Sequence, residues 1–78
     1  MNRKNKYGAK KTTIDGITFA SKKEAARYCE LKYLFSIGAI QQLELQPKVP
    51  LMVNGKKIGN YIGDFAYIEN GKKVIEDV

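Results

Sequence analysis

The side chains able to do chemistry in this chain are few in kind. There is no histidine and one cysteine, Cys29. Histidine triads, histidine general bases, Cys-cluster zinc sites and an internal disulfide are therefore excluded. Carboxylates, lysines, tyrosines and the backbone remain. Among the carboxylates, the placement of Asp64 and Asp77 is informative. Asn70-Gly71 lies between two apolar alternations and is a strong short hairpin signal. A two-residue turn there pairs Glu69 with Lys72, Tyr67 with Val74, Ala66 with Ile75 and Phe65 with Glu76. Asp64 then faces Asp77, with Cβ atoms about 5 Å apart. If the strand stays regular past Gly59 and Gly63, the two acids share a face with Ile58, Ile62, Ala66 and Ile75. An acid pair on an apolar face calls for a cation. Mg²⁺ or Mn²⁺ suits one or two carboxylates completed by waters and a phosphate.

A helix must cover that face, and the chain supplies one. Ser21-Lys22-Lys23-Glu24 has the S-x-x-E form of a capping box. The helix should run from about Lys22 to Ile37, with Gly38 in the C′ position. Ala25, Tyr28, Leu31, Leu34 and Phe35 form its apolar stripe. Glu24 borders the inward side, so Glu24, Asp64 and Asp77 are able to converge as a catalytic and metal-binding trio. Plainer readings stand beside this one. Capping alone accounts for Glu24. A bulge at Gly63 would turn Asp64 outward. Glu76 reads as a solvent-side strand residue opposite Phe65, and Cys29 as a small apolar residue on the helix flank.

The remaining segments complete an α+β plan. Thr12–Ile14 and Ile17–Phe19 flank Asp15-Gly16 as a short N-terminal β-hairpin. Ala39–Leu45 is extended, and Pro47 and Pro50 exclude a helix after it. Val49, Leu51 and Val53 alternate up to Asn54-Gly55; a long run from Ile58 to Glu69 follows, and Lys72–Val78 returns. The expected fold is one helix packed on an antiparallel three-stranded meander. Seventy-eight residues, 44% apolar and 28% charged, form one ordinary globular domain. No stretch is apolar enough to span a membrane, and one cysteine suits a reduced, cytosolic setting.

The net charge of +6 is unevenly placed. Arg3, Lys4, Lys6, Lys10 and Lys11 precede the first acid, and without those five the rest of the chain nets +1. Residues 1–11 therefore read as a basic, flexible arm on a domain spanning 12–78. Such an arm suits a polyanion, and DNA is the expected partner, with Lys22, Lys23 and Arg27 of the helix adding phosphate contacts. A solubilising terminus is the plainer alternative.

Several strings, taken in order, resemble a known family. They are Lys6-Tyr7-Gly8-Ala9-Lys10-Lys11, Asp15-Gly16-Ile17-Thr18-Phe19, Ser21-Lys22-Lys23-Glu24-Ala25, Leu43-Glu44-Leu45-Gln46-Pro47-Lys48, and Gly63-Asp64-Phe65 with Glu76-Asp77-Val78. Together they resemble a small phage and prophage family of unknown function placed with the PD-(D/E)XK nuclease superfamily. The resemblance implies the start of an α-β-β-β-α-β core. It implies an acid on the first helix, an Asp on the second core strand and (D/E)-x-K on the third, falling on Glu24, Asp64 and Asp77. It further implies metal-dependent DNA phosphodiester hydrolysis, of the kind found in Holliday-junction resolvases and recombination nucleases, in the cytoplasm of a bacterial host. One departure stands out: the motif's lysine, two residues after the third acid, falls beyond Val78. The expectation is an N-terminal portion of a longer nuclease, weak or inactive alone. The alternative is a non-enzymatic nucleic-acid-binding or assembly module. Oligomeric state stays open, and an uncovered sheet edge is compatible with a homodimer.

Overall fold

The computed structural model describes residues 11–78. Their order is β1 (Thr12–Ile14), β2 (Ile17–Phe19), α1 (Lys22–Ser36), β3 (Gln41–Leu45), β4 (Lys48–Val53), β5 (Lys56–Ile62), β6 (Phe65–Glu69) and β7 (Lys72–Glu76). The protein is α+β, with one helix and antiparallel strands in small sheets. Arg3, Lys4, Lys6 and Lys10 of the basic arm lie outside the described residues. Among the described residues no helix is long and apolar enough to cross a membrane.

The three X-Gly turns form as the sequence predicts. Asp15, Asn54 and Asn70 have φ of 55°, 50° and 53°, each followed by a glycine with φ of 76–79°. Positive φ at both central positions matches the twist of the flanking strands. The cap of α1 also forms. The Ser21 hydroxyl accepts from the Glu24 N–H at 3.1 Å. The Glu24 carboxylate accepts from the Ala20 N–H at 3.0 Å, one residue before the cap. At the other end Gly38, with φ of 80°, closes the helix. Gly38 N–H donates to Phe35 and Ala39 N–H to Leu34, the Schellman pattern.

The expected three-stranded meander is divided between two sheets. The expected unbroken strand from Ile58 to Glu69 divides at Gly63-Asp64 into β5 and β6. Its partner divides at Gln46-Pro47 into β3 and β4. Two backbone hydrogen bonds carry the pairing around the corner: Gln46 N–H to the Asp64 carbonyl at 2.9 Å, and Gly63 N–H to the Pro47 carbonyl at 3.1 Å. Below the corner the sheet runs β3-β6-β7; above it, β4 and β5 form a separate two-stranded ribbon. Gly63 permits this. A Cβ there would sit 3.0 Å from the Ile75 Cγ2 methyl, so a larger residue would crowd the Ile75 side chain.

Phe19, Ala25, Tyr28, Leu31, Ile40, Phe65 and Tyr67 make the core. Helix α1 therefore covers the Phe65/Tyr67 face of β6 rather than the expected Ala66/Ile75 face. Ile58, Ile62 and Ile75 are exposed, because the bend carries the first two away from the sheet. On α1 the stripe holds at Ala25, Tyr28, Leu31 and Leu34, but Phe35 is exposed. The helix meets β1, β2 and β3, and Phe35 lies outside that contact.

Two glutamines adopt left-handed backbone, Gln42 (φ 54°) and Gln46 (φ 50°). Gln42 sits where the β3–β6 register shifts. An L-residue pays about 1–2 kcal/mol there, and glycine pays roughly 0.5–1 kcal/mol in extra chain entropy. Gln42→Gly should therefore raise stability by about 0.5–1 kcal/mol, read as a thermal midpoint higher by a few degrees. An unchanged or lower midpoint would show that the bulge carries no such strain.

Candidate active site

The cap that starts α1 also aims Glu24. Its carboxylate folds back over Ser21 to reach the Ala20 N–H, which places it beside the end of β2. Asp64 stands at the bend between β5 and β6. Its N–H donates to the Glu76 carbonyl at 3.1 Å, and its carboxylate accepts from the Val78 N–H at 2.8 Å. Glu24 and Asp64 line one cavity of about 430 Å³. Ile17, Phe19, Leu45 and Phe65 supply apolar wall, and Lys11 and Gln46 supply polar groups. Each carboxylate is held by a backbone N–H through one oxygen, and each has a second oxygen. Two such carboxylates beside a lysine suit a hard cation together with a phosphate oxygen.

Asp77 completes the trio less directly. The β6–β7 register agrees residue for residue with that expected from Asn70-Gly71. The paired ladder stops at Phe65 opposite Glu76, so Asp64 and Asp77 lie one step past it. Asp77 is exposed and does not line the cavity. Its Oδ1 lies 3.6 Å from the position of a Cβ on Gly63, next in sequence to Asp64. Among the described residues no three acids come together as a metal-holding group.

Glu76 differs from expectation. Opposite Phe65, it shares that residue's face, and this face is the one α1 covers. Its carboxylate takes a two-pronged contact from Arg27 Nε and Nη2, the latter at 3.0 Å. It also accepts from the Tyr67 hydroxyl at 2.6 Å. Arg27 donates as well to Glu30 at 3.1 Å, so the guanidinium assigned to phosphate contact has internal partners. The guanidinium, aided by the Tyr67 hydroxyl and against the effect of burial, holds the Glu76 carboxyl below the usual carboxylate range. Burial, and then donation to Glu76, pushes the Tyr67 phenol up. Lys22 and Lys23 are exposed at the start of α1. Cys29 is exposed.

A second contact ties the hairpin to the helix. The Asp15 carboxylate accepts from the Tyr28 hydroxyl at 2.9 Å and from Lys32. Lys32 and then Tyr28 hold the Asp15 carboxyl below its ordinary value. This contact positions the β1–β2 hairpin, which forms one wall of the cavity. Sequence reasoning missed both this contact and Gln46. The only local sign for Gln46 was the Gln-Pro pair, which marks a break in the chain.

A family model described as a protein of unknown function (DUF1064) matches residues 4–78. Neither the curated proteins nor the solved structures contain a match to this chain.

Proposed function

We propose that this chain, which belongs to the DUF1064 family, is part of a metal-dependent DNA phosphodiesterase of the PD-(D/E)XK type. The observation that carries the reading is that Glu24 and Asp64, from a helix cap and a strand bend, line one cavity together with Lys11. Glu24 and Asp64 would hold Mg²⁺ or Mn²⁺ through the oxygens that their backbone N–H partners leave for it, with Asp77 approaching from the Gly63 side. A cation there polarises a phosphate and lowers the pKa of bound water, so a site without histidine can still hydrolyse a phosphodiester. The chain's own groups position the substrate. Lys11 neutralises a phosphate oxygen at the cavity. Lys22 and Lys23 lie at the start of α1, as Glu24 does, and extend the basic surface; Arg3, Lys4, Lys6 and Lys10 add positive charge earlier in the sequence. Apolar Phe19, Leu45 and Phe65 exclude bulk water from one side of the carboxylates.

The reading is tested by adding Mn²⁺ and following paramagnetic broadening in amide NMR spectra. Broadening should centre on Glu24 and Asp64 and extend to Asp77. In Asp64→Asn the affinity should fall at least tenfold, about 1.4 kcal/mol. Uniform weak broadening that survives the substitution would remove the metal site. That result would favour the second reading, a nucleic-acid-binding or assembly module without chemistry, which draws its support from the separation of Asp77 from the cavity. DNA binding would then be salt-sensitive and indifferent to EDTA.

A further inference from the structure

The ribbon of β4 and β5 plays no part in the core or the cavity. Its strands lie beside each other and beside no other described strand or helix. Leu51, Met52, Val53, Ile58, Tyr61 and Ile62 are all exposed on it, Ile58 at 65% and Met52 at 56%. A free two-stranded ribbon is marginal in water, and six large exposed apolar side chains on one is more than scattered surface hydrophobicity. The charge on the same segment has one sign. From Gln46 to Gly63 there are three lysines, Lys48, Lys56 and Lys57, and no aspartate or glutamate. All three are exposed. Lys48 stands at the base of the ribbon, and Lys56 and Lys57 follow the Asn54-Gly55 turn at its tip.

We infer that the β4–β5 ribbon is a second DNA-contacting element, laid along a groove of duplex DNA. The three lysines take phosphates on the groove walls, and the apolar side chains of the inward ribbon face, Met52 among them, lie against the sugars and base edges. Several observations favour this occupant. A two-stranded antiparallel ribbon fits the width of a DNA groove, and apolar side chains on such ribbons act as wedges between base steps. A strand of six residues reaches about 20 Å, enough to span a groove. The all-positive charge complements a polyanion and opposes the stacking of this ribbon on its own copy. The corner at Gln46-Pro47 and Gly63-Asp64 links the ribbon to the strand bend that carries Asp64. Duplex held by the ribbon would therefore continue toward the cavity. The inference rests on the DNA reading above, but not on its metal site.

The test uses the whole chain in EDTA, so that no divalent cation contributes, with a short fluorescein-labelled duplex of random sequence as probe. Affinity is measured by anisotropy across a salt series for the wild type, for the triple variant Lys48→Gln, Lys56→Gln, Lys57→Gln, and for its Lys→Arg counterpart. Each lost phosphate contact should reduce the slope of log affinity against log salt by about 0.9, hence about 2.7 for three. Between roughly 50 and 200 mM salt, the glutamine variant should lose about 40-fold less affinity than the wild type. The arginine variant should keep the wild-type slope. An unchanged slope in the glutamine variant overturns the inference and leaves the ribbon as a surface for a protein partner. Self-association lost in Met52→Ser with Ile58→Ser, beside that unchanged slope, would identify the partner as a second copy. Absence of wild-type duplex binding would overturn the inference and the DNA reading together. Broadening by Mn²⁺ fails or succeeds independently of all these outcomes.

Discussion

Replacing Glu76 with alanine is expected to lower the thermal midpoint by roughly 10–20 °C. The carboxylate accepts two hydrogen bonds from Arg27 and one from Tyr67. It is only 19% exposed, and Arg27 is 32% exposed. Its removal leaves a half-buried guanidinium with Glu30 alone and the Tyr67 hydroxyl without its acceptor. Stranding groups of this kind costs about 2–3 kcal/mol. In a domain of this size each kcal/mol moves the midpoint by about 4–8 °C. Glu76→Gln keeps an acceptor and loses the charge, so its loss should be about half as large.

The effect has a definite pH dependence. Arg27 holds the folded Glu76 carboxyl below its ordinary value, so the carboxylate contributes stability that is complete above the unfolded pKa, about 4.3. That contribution declines as pH falls from there through the depressed folded value. Urea unfolding at pH 7 should show the full gap between wild type and Glu76→Ala, and the gap should narrow below about pH 4. A gap of constant size down to pH 3 would mean that packing, rather than charge, accounts for the loss. The pair matters to the site because it joins α1, which carries Glu24, to β7, which leads into Asp77.

Phe65→Ala should be the most damaging core substitution that touches the cavity. Phe65 is 1% exposed, packs on Phe19 at 6.4 Å between ring centroids, and follows Asp64 directly. Truncating a buried phenylalanine costs about 3–5 kcal/mol. At roughly 0.05–0.15 kcal/mol per residue, the whole domain holds only about 4–12 kcal/mol. The variant should therefore be largely unfolded well below the wild-type midpoint by circular dichroism. Ile58→Ala provides the contrast. It lies on the same run of sequence but is 65% exposed, and its cost should stay within about 0.5 kcal/mol. A loss at Ile58 as large as that at Phe65 would contradict the bend at Gly63-Asp64, which leaves Ile58 exposed on the β4–β5 ribbon.

The comparison of Phe65 with Ile58 shows where local information stops. Short-range chemistry determined the turns, because Asp-Gly and Asn-Gly accept positive φ where other residues resist it. It determined the cap and the end of α1, because Ser21, Glu24 and Gly38 satisfy backbone groups within one turn of themselves. It determined the β6–β7 register from Glu69–Lys72 to Phe65–Glu76, because a two-residue turn leaves one pairing; Asp64 and Asp77 lie one step past that ladder. The face each residue occupies was decided elsewhere. Alternation assigns side chains to two faces but does not say which of them the helix covers, and the helix covers Phe65, Tyr67 and Glu76. The corner at Pro47 and Gly63 depends on two backbone hydrogen bonds and on the close approach of Ile75, contacts between segments far apart in sequence. The same tertiary packing joined Glu24 to Asp64 in one cavity, set Asp77 outside its wall, matched Arg27 to Glu76, and left the β4–β5 ribbon projecting with its lysines and apolar side chains uncovered. Contacts between distant segments have no signature in residue spacing, because their geometry exists only once the chain has closed on itself.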